Sequence, residues 1–136
     1  MKRINCISFI ILIIVAGIIP ERNLFAQAGH LQGYIDSLLK EIPRCKEDTN
    51  KVTLLNVTAF AYRGINPDEG IKYSNQALKL AKVLKWQNGI ADAWLNMGVL
   101  YGYKADAVNM FNAYIESLKV AESNNNKPAM ARAHSN

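Results

Sequence analysis

Ala77-Leu78-Lys79-Leu80-Ala81 and Ser117-Leu118-Lys119-Val120-Ala121 are two versions of one segment, forty residues apart. The same offset lays Ile90-Ala91-Asp92-Ala93-Trp94-Leu95-Asn96 over Met130-Ala131-Arg132-Ala133-His134-Ser135-Asn136. One register relating two separated segments marks an internal repeat, in which each copy completes its core on its neighbours. The repeating unit is helical, because apolar residues recur at spacings of three and four and no turn signal sits between alternating runs.

Worked outward, this pattern predicts six helices. The first carries Leu31, Ile35, Leu38, Leu39 and Ile42 and ends at Pro43. The second, over 51–63, presents Val52, Leu55, Ala59 and Tyr62 on one face but is apolar nearly all round, so it expects neighbours on several sides. Asn66 caps the third, Pro67 suits its first turn, and Glu69 stands at capping-box spacing. Its expected buried stripe is Ile71, Ser74, Ala77, Leu78, Ala81 and Leu84, with Gln87-Asn88-Gly89 as the break that follows.

The fourth helix, over 90–103, places Ile90, Ala93, Trp94, Met97, Gly98 and Tyr101 on one face. Gly98 costs about 1 kcal/mol against Ala in a helix interior, which predicts a close backbone approach there. The fifth, over 106–123, packs Met110, Phe111, Tyr114, Leu118 and Ala121, and Pro128 opens the sixth. The expected architecture is therefore an all-α solenoid of antiparallel helix pairs whose last pair is incomplete. The sixth helix stops at Asn136, whereas its counterpart runs on to Tyr103. So short a helix is marginal by itself and an array wants a polar cap, so the chain reads as cut short and its uncapped last helix as a place for self-association.

At the amino end, Lys2 and Arg3 precede an apolar run over residues 4–19, and Ala26-Gln27-Ala28 offers a small-x-small site. This is the pattern of a signal peptide over residues 1–28, predicting export to the periplasmic or extracellular side. Residues 29–47 then form a capping helix and linker, and 48–136 the repeats. The expected mature chain has a net charge of +3, with cations and anions intermixed, which argues against a nucleic-acid partner. It holds no apolar segment of membrane-spanning length. Cys45 is its one cysteine, so stability rests on core packing or association and not on a disulfide within the chain.

No catalytic signature stands out: there is no phosphate loop, nucleophile elbow or ligand at metal spacing beside His30 or His134. Neither a metal nor a cofactor is expected, and the chain reads as non-catalytic. Asp68-Glu69 is explained as a helix start.

Trp94, Met97-Gly98 and Tyr101, followed by Tyr114 and Ser117-Leu118, resemble the tetratricopeptide repeat. Ala59, Tyr62, Gly70 and Ala77 resemble an earlier copy, and Ala105 stands where the family usually has a turn glycine. The forty-residue period is similar to that of the longer-repeat subclass, and the resemblance extends over residues 48–136. It implies a groove for a protein or peptide partner lined by Asp92, Leu95, Asn96, Val99, Tyr103 and Arg132. Asn96 takes the place of a family asparagine that holds peptide backbone, and Arg132 that of a carboxylate-binding cation, although Asn56 and Phe60 depart from the first-repeat clamp. The signal, the capping helix, Asp48-Thr49-Asn50-Lys51-Val52 and the Asn66-Pro67-Asp68 turn together also resemble the sensory amino-terminal region of bacterial membrane histidine kinases and related regulators. That resemblance implies a signalling receptor whose catalytic part follows the repeats.

Overall fold

The computed structural model describes the backbone of residues 21–124 and the side chains from residue 29 onward. It has five α-helices: α1 (Glu21–Glu41), α2 (Thr49–Ala61), α3 (Pro67–Val83), α4 (Gln87–Tyr103) and α5 (Ala107–Ser123). Short 3₁₀ turns, Ile42–Arg44 and Tyr62–Gly64, follow α1 and α2, and no strand occurs among the described residues. The apolar run at 4–19 and the expected sixth helix lie outside the described residues.

The chain divides into two compact units, residues 1–33 and 34–136. In the first, the described backbone is helical from Glu21 onward. The expected boundary after Ala28 thus falls inside α1, and the predicted capping helix is longer at its amino end than the apolar stripe suggests. The physical reason is local: residues 21–28 contain no Gly or Pro, and Glu21 follows Pro20.

Within the second unit, packing proceeds in sequence order: α2 meets α3, α3 meets α4 and α4 meets α5. One further contact skips a helix, joining α2 to α4, and no comparable contact joins α3 to α5 among the described residues. First helices of successive pairs therefore touch directly.

Helices α3, α4 and α5 are each 17 residues long and begin at 67, 87 and 107. The bounds of α3 and α5 are thus related by the forty-residue register of the sequence. Their starts are also alike, since Asn66 Oδ1 accepts the Glu69 N–H at 3.3 Å and Asp106 Oδ1 accepts that of Asn109 at 3.1 Å. Such side-chain caps satisfy N–H groups that a helix leaves unpaired.

The stops of α3 and α4 are alike in turn. Lys85 (φ 54°) and Ala105 (φ 56°) adopt the left-handed conformation. The following N–H groups, of Trp86 and Asp106, reach back to the carbonyls of Ala81 and Tyr101 at 2.9 Å in each case. This is the six-to-one closure of a Schellman motif, built twice without the usual glycine. It corrects the expected break at Gln87-Asn88-Gly89: the chain turns at Lys85, and those three residues form the first turn of α4. Gly89 is buried there, where a Cβ would collide with the Trp86 ring and come within 2.9 Å of Val52.

The core is made of Val52, Leu55, Ala77, Leu78, Ala81, Ile90, Ala93, Met97 and Ala113, with Trp94 and Tyr101 packed against it. Small residues let the helices close up. A Cβ on Gly70 would lie 2.8 Å from the Ala59 carbonyl oxygen, and one on Gly98 would overlap the Tyr114 ring. The close approach expected at Gly98 is thus to an aromatic ring and not to a backbone. Ser117 Oγ donates to the Ala91 carbonyl at 2.8 Å. Tyr62 stacks on Tyr73 with ring centroids 5.7 Å apart. The expected stripes hold in part: Ile71, Leu84, Met110, Tyr114 and Leu118 are among the positions that are only half-buried. Phe111 is 60% exposed because it lies on the side of α5 turned away from α4.

Candidate binding face on α2 and α4

Asp92, Asn96, Val99 and Tyr103 follow one another on α4 at intervals of four, three and four, so they form a single stripe along the helix. Tyr103 is exposed, and the other three are half-buried. Thirty-nine residues earlier, Thr53, Val57 and Phe60 form the matching stripe on α2, and all three are exposed. The two helices touch, so the stripes belong to neighbouring first helices of the two pairs.

Asn96 and Asn56 fix this junction. Asn96 Nδ2 donates to the Asn56 backbone carbonyl at 3.0 Å and lies 3.3 Å from its Oδ1. Asn56, itself buried, donates onward to the Gly89 carbonyl at 3.4 Å. A buried amide with partners on both sides locks the spacing of the helices it joins. The Asn96 donor expected to meet a ligand backbone is thus turned toward the protein's own backbone.

The remaining expected groove residues separate. Leu95 is buried, because its position on α4 is rotated off the open stripe toward the packed face, and it does not line a surface. Arg132 lies outside the described residues. Sequence reasoning named the α4 half of the face but not Val57 on α2, and it met Phe60 only as a departure from the first-repeat clamp. The signal that points to them is the apolar excess around the whole circumference of α2.

The face is apolar with polar ends. Val57, Phe60, Val99 and Tyr103 supply the apolar area, with Asp92 toward the amino end of α4. Arg63 lies 4.1 Å from the centre of the Phe60 ring, in cation–π range, and its Nη1 donates to the Phe60 carbonyl at 3.0 Å. This arrangement can hold an extended segment by apolar contact with charge at the margins.

A second concavity, an open cleft of about 440 Å³, lies between the start of α2 and the end of α3. Leu55, Leu80 and Leu84 line it with Lys51 and Lys79, and Lys51 is paired with Glu47. Burial pushes the Tyr62 and Tyr114 hydroxyls above their ordinary range, with nearby Tyr73 and acidic groups adding to the effect at Tyr62. Cys45 is a free, half-buried thiol. Among the described residues no three His, Cys, Asp or Glu side chains gather in a way that would hold a metal ion, and no helix is long and apolar enough to cross a membrane.

In the comparisons with known proteins, no family model, no curated protein and no solved structure matches the chain.

Proposed function

We propose that this chain is an exported, non-catalytic scaffold of the tetratricopeptide type that holds an extended protein segment along the face of α2 and α4. The observation that carries the reading is the pair of matched stripes. Thr53, Val57 and Phe60 on α2 stand beside Asp92, Asn96, Val99 and Tyr103 on α4, with the Asn56–Asn96 bonds setting their spacing.

Three features of the repeat support the family assignment. The helices pair with their sequence neighbours, the first helices of successive pairs touch, and α3 and α5 have the same length and bounds in a forty-residue register. Support for a peptide-sized ligand comes from the apolar character and limited width of the face. A row of exposed aliphatic and aromatic side chains on a rigid helix is the usual basis of segment capture, and the aromatic anchors there carry most of the binding energy. Export rests on the sequence of residues 1–28.

The test is a selection from a random peptide library displayed on phage, with the full chain as bait. The enriched peptides are then titrated against Val57→Asp and Tyr103→Ala. Both substitutions fall on exposed side chains, so the helices should fold. Enriched peptides that lose roughly tenfold or more in affinity for both variants support the reading. A library that yields no enrichment, or peptides that bind both variants as they bind the parent, would overturn it. Amino-terminal sequencing of exported protein tests the export part separately, with a mature chain expected to begin at Gly29.

A further inference from the structure

α5 carries a second apolar stripe that the α2–α4 face does not use. Val108, Phe111, Ile115 and Leu118 recur at intervals of three, four and three, the seam spacing of a two-helix coiled coil. The first three are 72%, 60% and 49% exposed, and Leu118 is half-buried. Forty residues earlier, the same positions on α3 are Asp68, Ile71, Asn75 and Leu78. There the outward-facing Asp68 and Asn75 are polar, and Asp68 pairs with Lys104 at the end of α4. On α5 both polar positions have become apolar. Isolated exposed apolar residues need no explanation, but a contiguous stripe at seam spacing does.

We propose that this stripe is the contact surface for a second copy of the same chain, joined α5 to α5 in antiparallel orientation. The pattern is self-complementary when reversed. Val108 comes level with the partner's Leu118, and Phe111 with the partner's Ile115, so every apolar position meets an apolar position. Charge selects the direction. Glu122 continues the seam at the next interval of four, so a parallel pair would set it against the partner's Glu122. In the antiparallel pair it lies at the amino end of the partner helix, where unpaired N–H groups favour a carboxylate. Antiparallel packing also repeats the geometry by which α4 already packs on α5. A one-helix contact is small, on the order of 800 Å² in total, so the dimer is weak, forming at about 10–100 µM.

The test is sedimentation equilibrium of the full chain over roughly 5–500 µM, with Phe111→Glu as the disrupting variant and Phe60→Asp as the control. Circular dichroism shows whether each variant is folded. The expected result is a monomer–dimer equilibrium that Phe111→Glu weakens about tenfold or more and Phe60→Asp leaves in place. Because Phe60 belongs to the α2–α4 face, failure of the peptide-binding reading and failure of this one are separable.

Orientation is tested by cysteine cross-linking in a Cys6→Ser, Cys45→Ser background. Positions 108 and 118 are about 15 Å apart along one helix, too far for a disulfide within a chain. The combination Val108→Cys, Leu118→Cys should therefore link two chains, while either substitution alone should not. A chain that stays monomeric throughout, as when its own residues 125–136 cover α5, overturns the proposal. So does an association that Phe111→Glu leaves unchanged, or cross-linking by the single variants.

Discussion

The Asn96 side-chain amide on α4 is bonded to the Asn56 backbone carbonyl on α2 at 3.0 Å, across forty residues of sequence. Two oxygens of Asn56 face one amide nitrogen, so the position requires a donor. Asn96→Ala should cost about 1–2 kcal/mol. Asn96→Asp keeps the shape but turns a carboxylate toward two acceptors, so it should cost more at neutral pH. Those acceptors raise the pKa of the new acid in the folded state, so its penalty is present at high pH and shrinks as the pH falls and the acid protonates. Urea unfolding at pH 7 and pH 4 checks this: an Asp variant that matches the Ala variant at both pH values would show that the two acceptors impose no penalty on a carboxylate.

At Gly98 two effects oppose one another. Ala is the better helix former by about 1 kcal/mol, yet its Cβ would overlap the Tyr114 ring. Overpacking of this kind costs about 1–3 kcal/mol, so Gly98→Ala should be destabilising on balance. Combining it with Tyr114→Ala should give less than the sum of the two single losses, since the second change removes the obstruction. A double-mutant cycle in urea measures that coupling. Additive losses would mean that the ring moves aside freely.

Lys85 and Ala105 hold left-handed backbone without being glycine. That conformation costs an L-residue roughly 1–2 kcal/mol, part of which Gly gives back through its more flexible unfolded chain. Lys85→Gly and Ala105→Gly should each stabilise by about 0.5 kcal/mol, and the two gains should add. Lys85→Ala should bring no gain, since Ala bears the same steric cost. Thermal melts of the two Gly variants, their combination and Lys85→Ala against the parent decide the matter.

Ser74 and Ser117 look equivalent as buried serines and should respond differently. Ser117 Oγ donates to Ala91, whereas Ser74 Oγ is buried with no hydrogen-bond partner. Ser117→Ala should lose about 1 kcal/mol, and Ser74→Ala should be neutral or stabilising. Chemical denaturation of the two variants against the parent tests the contrast.

Asp106 accepts two hydrogen bonds from Asn109, one from its side chain and one from its backbone, and these hold its carboxyl below the usual range. A folded pKa below the unfolded one stabilises the fold above the unfolded value, and that contribution fades as the pH falls through the folded value. Asp106→Asn keeps a neutral cap of the kind Asn66 provides. The stability difference between parent and variant should therefore be constant above about pH 5 and shrink below pH 4. Urea midpoints across that window give the profile, and a constant difference down to pH 2 would contradict it.

Much of the fold was legible because helix starts and the forty-residue register are written in residue types. Asn66-Pro67 and the related segments at 77 and 117 locate α3 and α5 almost to the residue. The α3–α4 turn was not legible, for two reasons. Gln87-Asn88-Gly89 has loop composition, and Lys85 gives no sign of adopting left-handed backbone. Gly89 reads as a breaker by propensity but is selected here by the Trp86 ring packed over it. On α5, periodicity could not say which apolar residues face inward, since Phe111 and Tyr114 lie on adjoining sides and only the position of α4 separates them. For the binding face, spacing identified the α4 stripe, while Leu95 and Asn96 are neighbours in sequence with opposite surroundings.

Packing in sequence order, with one contact that skips a helix, makes the second unit behave as a series of joints. α4 touches α2, α3 and α5, whereas α5 rests on α4. Amide hydrogen exchange should therefore be slowest in α4 and faster toward α5, with opening spreading inward helix by helix. Because α4 also carries half of the proposed binding face, a ligand held there would stiffen the joint on which every other described repeat helix hinges.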